Sequence, residues 1–346
     1  MWGLCRYPNV ALLNAMSTTP AHRISVAPMM DWTDRHCRYF LRRLSRHVLL
    51  YTEMVTTDAI LHGNRDKLLR FDASEHPIAL QLGGADIGDL AECARIGADW
   101  GYDEINLNVG CPSDRVQSGR FGACLMLEPD LVARSVEAMA AAVDLPVTVK
   151  SRIGVDDQDE WPTLSGFAAK MLDAGASRHI VHARKAILNG LSPKQNREIP
   201  PLRYDLVYRL KAEYPMLPIV LNGGVTAHEE IAAHLQSVDG VMLGRAAYQN
   251  PGILTAVDRY YFDPVSEIRT QENAVYEMLP YIEKETTDGV PLRAIVRHMM
   301  GLFQGMHGAR AWRRYLSENA HRNESATNVV LTAMSLVRNK MAAVAE

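Results

Sequence analysis

Eight short apolar, β-branched runs, each followed by a segment of helical spacing, are the strongest constraint in this 346-residue chain. They predict strands at Ile24–Ala27, Val48–Thr52, Ile78–Leu82, Glu104–Asn108, Pro146–Lys150, His179–His182, Pro218–Leu221 and Gly240–Leu243. Between them the spacing predicts helices, among them Asp86–Trp100, Asp130–Val143, Leu164–Ala174 and Ala227–Leu235. In the first of these, Leu90, Ala94 and Gly97 fall three or four apart on one face. Thr226 is the expected N-cap of the last, with Glu229 completing a capping box. Eight β-then-α units argue for a closed (β/α)8 barrel, the TIM architecture, over an open doubly wound sheet. No Gly-x-Gly-x-x-Gly follows the first strand, which weakens a dinucleotide fold further.

The barrel is expected to occupy residues 22–262. Beyond Phe262 the strand pattern stops, and from Glu267 the sequence reads as helix broken into pieces by Pro280 and Pro291. A small helical domain is therefore expected over residues 263–346. Residues 1–21 form an N-terminal extension. Its apolar stretch Val10–Met16 is interrupted by Asn14 and preceded only by Arg6, a poor fit to a signal peptide. The extension is expected to be disordered, or translation to begin at Met16.

The five cysteines (Cys5, Cys37, Cys93, Cys111 and Cys124) contain no C-x-x-C pair, which argues against a disulfide framework or a zinc site and for a reducing compartment. No run approaches the roughly 18 apolar residues of a membrane span. A cytoplasmic, metal-free protein is expected, a monomer being the simplest case. The formal charge of -3 is uninformative, but its distribution is not. Arg178 to Lys211 holds eight basic residues against Glu198 and Asp205, and Arg293 to Arg322 holds six arginines against Glu318. Such segments suit an anionic partner such as nucleic acid, or they are solvated helix faces.

Catalytic groups of TIM barrels sit at the C-terminal ends of the strands. Here those ends carry Pro28, Met29 and Met30; Glu53; Gln81; Asn108 and Cys111; Lys150; His182 and Arg184; Asn222, Gly223 and Gly224; Gly244 and Arg245. Singly each has a bland reading, but their joint placement points to a site. The glycines after strands seven and eight, with Arg245, suit a phosphate, as barrels commonly arrange, or are tight turns needing positive φ. Gln81, Lys150 and the backbone after Ala27 then suit a flavin ring, with an ammonium favouring its reduced, anionic form. Cys111, in a turn between Gly110 and Pro112, suits a general acid; nucleophile and inert thiol are the rival roles. Cys37, Cys93 and Cys124 read as inert.

Three stretches, Ala27-Pro-Met-Met-Asp-Trp-Thr-Asp34, Asn106-Leu-Asn-Val-Gly-Cys-Pro112 and His182-Ala-Arg-Lys185, resemble the tRNA-dihydrouridine synthases. Residues 190–201 and 244–251 are similar to the A subfamily in particular, and the likeness covers about residues 22–340. The resemblance implies FMN-dependent, NADPH-consuming reduction of uridine to 5,6-dihydrouridine in the tRNA D-loop, at positions 20 and 20a. It implies FMN binding by Pro28, Met29, Met30, Gln81, Lys150, His182, Asn222, Gly223, Gly224, Gly244 and Arg245, and makes Cys111 the proton donor. Asn108 and Arg184 would hold the uracil, and Lys194, Arg197, Arg310 and Arg313 would contact tRNA. A flavin barrel acting on a free pyrimidine, as dihydroorotate dehydrogenases do, leaves the helical domain without a purpose. A non-catalytic RNA-binding barrel is the third reading.

Overall fold

The computed structural model describes residues 19–113, 119–321 and 325–345. The extension expected over residues 1–21 falls almost wholly outside the described residues, as do Cys5 and Arg322. Strands β1 (Ile24–Val26), β2 (Leu49–Thr56), β3 (Ile78–Gly83), β4 (Glu104–Val109), β5 (Val147–Ser151), β6 (Arg178–His182), β7 (Ile219–Asn222) and β8 (Gly240–Leu243) pair in parallel, in chain order. β8 pairs back onto β1, with Val26 opposite Leu243, and closes the expected barrel.

Alternation along each strand sends every second residue into the barrel. Leu49, Tyr51, Ala79, Ile180, Val220 and Met242 fill part of that interior with apolar atoms. The same phase delivers Gln81, Asn108, Lys150, His182 and Asn222 to one rim. Outside the barrel, helices Ile87–Asp99, Pro129–Ala142 and Glu160–Asp173 pack their apolar faces on the β3–β5 side.

Boundaries differ from the sequence reading for local reasons. β2 runs on through Glu53 to Thr56, with a register shift against β3 between Tyr51 and Met54. The helix expected from Leu164 starts one turn earlier, at Glu160. Thr226 is not the N-cap of helix His228–His234; Ala227 is, and Glu230 rather than Glu229 accepts from the backbone N–H groups of Thr226 and Ala227. Pro280 does not break its helix, which runs unbroken from Gln271 to Thr287. Pro280 lies on the exposed face with Tyr276, so the carbonyl that loses its N–H partner there can turn to water.

The C-terminal helices share a continuous apolar core with the β1 and β6–β8 side of the barrel. Helix Gln271–Thr287 lies on helix Arg35–Leu44, with Tyr281 stacked on Tyr39 at 3.9 Å and Glu285 paired with Arg35 at 2.5 Å. Trp312, fully buried on helix Ala309–Asn319, stands edge-on to Phe303 and donates its indole N–H to Met299 O at 2.9 Å. Among the described residues no helix is long and apolar enough to cross a membrane.

Candidate active site

The loop after β4 is fixed by one carboxamide. Asn108 Oδ1 accepts from the backbone N–H groups of Gly110 (3.1 Å) and Cys111 (3.0 Å), and Cys111 O accepts from Ala123 N at 2.9 Å. The Cys111 thiol is half-buried and donates to Ser113 Oγ at 3.5 Å. The other thiols among the described residues are Cys37 and Cys93, both buried, and half-buried Cys124. Burial raises Cys37 and Cys124, and pushes Cys93 up to about 12. Cys111 is thus the thiol held at the mouth by a turn built for it.

Beside it, at and beyond the end of the neighbouring strand β5, stands a group of cations. Lys150, half-buried at the end of β5, is pulled down to about 8 by burial and by Arg152, with Cys111 as the opposing influence. Arg152, buried two residues on, donates to three backbone carbonyls: Gly110 O (3.2 Å), Lys185 O (3.3 Å) and Asn196 O (2.9 Å). It is lowered to about 10 by burial, Arg197 and Arg184. His182 lies well below the usual imidazole range because it is buried and faces Arg152, Lys150, Arg184 and Arg197. A neutral imidazole and crowded guanidinium and ammonium groups make this side of the mouth cationic. An anionic ligand would relieve that crowding.

The glycines divide into two kinds. Gly223 (φ +119°) and Gly224 (φ +77°) need the left-handed region, and a Cβ on Gly223 would meet His182 Cδ2 at 2.7 Å. One on Gly224 would meet Leu202 and Tyr204 at 2.6 Å. These two have the positive φ that a tight turn requires. A Cβ on Gly244 would meet nothing within 4 Å, so that backbone is open to a ligand. Asn222 is buried and donates to Met242 O at 2.8 Å. Arg245 is paired with Glu198 at 2.8 Å and so ties the end of β8 to the long loop after β6.

The remaining expected residues sort by depth. Gln81 is buried and uses both ends of its carboxamide, accepting from Asn108 Nδ2 (2.8 Å) and donating to Asn106 Oδ1 (2.7 Å). In the loop after β1, Met29 N donates to Thr33 Oγ1 at 2.9 Å, Pro28 is half-buried and Met30 is exposed. Arg184 donates to Pro200 O and, at 3.4 Å, to Glu198 O; among the described residues it shares no hydrogen bond with Asn108. Lys194 and Arg197 are exposed in the loop after β6, which buried Asn196 pins through Ile187 N (2.7 Å), Ile187 O (2.8 Å) and Leu191 O (3.1 Å). Arg310 is exposed on helix Ala309–Asn319, and Arg313 on the same helix donates to Gln304 at 3.0 Å.

Much of the first basic segment is paired with the protein's own acids and rings, and only Arg178 of it is buried. Arg178 pairs with buried Glu104, Arg203 with Glu160 and Asp205, and Lys211 with Asp239, while Arg209 covers the Trp161 ring at 3.7 Å. Lys194 and Arg197 are exposed in the loop after β6. The sequence reading missed Arg152 and Asn196. It also missed the buried polar set Glu104, Asn106 and Thr148, although polar residues at every second position of an otherwise apolar β4 were visible.

A barrel with a thiol on the loop after β4, cations beside it and an open glycine backbone after β8, all at the strand ends, has the layout of a TIM-barrel enzyme. The family model described as Dihydrouridine synthase (Dus) matches residues 25–338, and the chain belongs to that family. A relative from Shewanella oneidensis named tRNA-dihydrouridine(20/20a) synthase is 57% identical over 92% of this chain and 95% of its own length. Proteins of the same name from Vibrio cholerae and Escherichia coli strain K12 are 56% and 58% identical, each over 92% of this chain and 98% and 92% of their own.

Proposed function

We propose that this protein reduces uridine to 5,6-dihydrouridine in tRNA at positions 20 and 20a, with FMN as bound cofactor and NADPH as reductant. The observation that carries the reading is Cys111, held at the barrel mouth by Asn108 whose strand neighbour is Lys150, in a chain whose relatives, matched over nearly all their length, bear the tRNA-dihydrouridine(20/20a) synthase name. The residues fit the cofactor: the open backbone at Gly244 suits its phosphate, and the cationic rim suits a reduced, anionic ring. Lys150 and His182 would face the ring, His182 as a neutral imidazole. Pro28 to Met30 would cover one edge.

A bound flavin would supply hydride chemistry at C6 of uracil, the end of the C5=C6 bond made electrophilic by the C4 carbonyl. The carbanion character that develops at C5 needs a proton, and the Cys111 thiol gives it. Asn108 places that thiol. The target base has to leave its stack to reach the mouth, as enzymes acting on bases generally require. Lys194 and Arg197 beside the mouth, with Arg310 and Arg313 on the C-terminal helices, would follow the RNA backbone on either side. One chain binding one tRNA as a monomer suffices for this arrangement.

Cys111→Ala is expected to keep its yellow bound flavin and its reduction by NADPH, and to lose dihydrouridine formation by about a hundredfold or more, read by mapping the base in tRNA. Full activity in that variant removes Cys111 from the mechanism.

A further inference from the structure

Beneath the rim, a file of buried polar side chains crosses the barrel interior from Asn108 to Glu104. At its lower end, Glu104 Oε2 accepts from Arg178 Nη1 at 2.5 Å, while Oε1 accepts from Tyr51 OH at 2.6 Å and Thr148 Oγ1 at 2.5 Å. Above it, Asn106 Nδ2 donates to Thr148 Oγ1 (2.8 Å), Gln81 Nε2 to Asn106 Oδ1 (2.7 Å) and Asn108 Nδ2 to Gln81 Oε1 (2.8 Å). Asn108 Oδ1 is then left facing the loop, where Gly110 N and Cys111 N donate to it. Glu104, Asn106 and Thr148 are all buried.

The direction of every link follows from the first. A carboxylate paired with a guanidinium only accepts, so the single Thr148 hydroxyl proton goes to Glu104. Toward Asn106 the Thr148 oxygen can then only accept, and the Asn106 amide must turn its NH2 down and its oxygen up. Gln81 must meet that oxygen with its own NH2, which presents Oε1 to Asn108. Asn108 must answer with NH2, and its oxygen is delivered to the two loop N–H groups. A reversed amide anywhere in the file would set N–H against N–H and oxygen against oxygen in a place without solvent.

We propose that Glu104, acting through Thr148, Asn106 and Gln81, is a positioning residue that sets the orientation of Asn108 and thereby the placement of Cys111. This rests on the reading in which Cys111 is the proton donor. The file makes the barrel floor part of the active site without touching substrate. It also explains why three carboxamides and a hydroxyl occupy positions that barrels ordinarily fill with Val, Ile or Leu.

The test is Thr148→Val beside Thr148→Ser in the full-length, flavin-loaded protein. Valine keeps the shape and removes the hydroxyl; serine restores it. Thr148→Val is expected to speed iodoacetamide labelling of Cys111 about threefold or more as the loop loosens. It is expected to lower dihydrouridine turnover about tenfold or more, with KM for tRNA little changed. Thr148→Ser should return both to wild type. A folded Thr148→Val protein with wild-type labelling and turnover overturns the proposal. Should valine prevent folding, the wild-type chain decides by NMR. Carboxamide protons of Asn106 and Gln81 are expected to exchange about a hundredfold more slowly than those of exposed Asn250. Equal rates overturn the file. A wild-type chain that makes no dihydrouridine removes the proposed function, while labelling and proton exchange still decide the file.

Discussion

Lys150 concentrates the tension at this mouth in a single side chain. Folding lowers its pKa from 10.5 to about 8, so the folded chain gives up that proton before the unfolded chain does. Its charged form therefore costs stability in full below about pH 8, and the cost is lifted as the pH rises from about 8 toward 10.5. Lys150→Met should remove the cost and flatten that rise. The apo variant is expected to melt at or above the wild-type temperature at pH 7 and to retain flavin about tenfold less well. A variant that melts lower and still binds flavin would make Lys150 a structural residue. The sequence made Lys150 visible because an ammonium ending an apolar strand is chemically conspicuous. It hid Arg152, whose guanidinium has no carboxylate partner among the described residues and donates to three loop carbonyls that no spacing rule connects.

Among the elements, the loop after β6 also depends on a single side chain for its shape. Asn196 is fully buried, ties Ile187 and Leu191 together, and offers its own carbonyl to Arg152. Asn196→Ala should cost about 1–3 kcal/mol if the loop stays in place with unmet backbone groups. Less than that is expected if the loop opens, and faster proteolysis between residues 185 and 201 would then report the opening. An unchanged cleavage pattern with unchanged stability would contradict the assignment. Strand existence and order were legible from apolar runs alone, because a barrel strand is buried on both faces. Element ends were not. Glu230 displaced Glu229 at a helix start because the cap lies one residue later, a shift that composition does not resolve. Pro280 reads as a breaker in sequence, and only its placement on the solvent face lets the helix pass through it.

For the whole molecule, the decisive feature is that the C-terminal helices and half of the barrel share one core. Deleting the buried Trp312 side chain should cost about 3–5 kcal/mol. The loss is expected to appear in a single unfolding transition recorded by both far-UV and flavin signals, and two separated transitions would show that the helices unfold on their own. The same packing fixes Arg310 and Arg313 relative to the mouth. Replacing both by alanine is expected to weaken tRNA binding and to reduce its salt dependence, with flavin reduction by NADPH untouched; a collapse of flavin reduction would mean that they hold the fold. How basic segments divide was not legible. Arg178 and Arg197 look alike in sequence, yet one is ion-paired in the barrel floor and the other is exposed beside the site.

The central claim, that this barrel delivers hydride and proton to a tRNA uridine, is tested most directly by mapping modified bases in unmodified tRNA incubated with the purified protein and NADPH. Dihydrouridine at positions 20 and 20a, absent when Cys111→Ala replaces the wild type, is the predicted result. NADPH consumption that leaves those uridines intact while a free pyrimidine is reduced would contradict it.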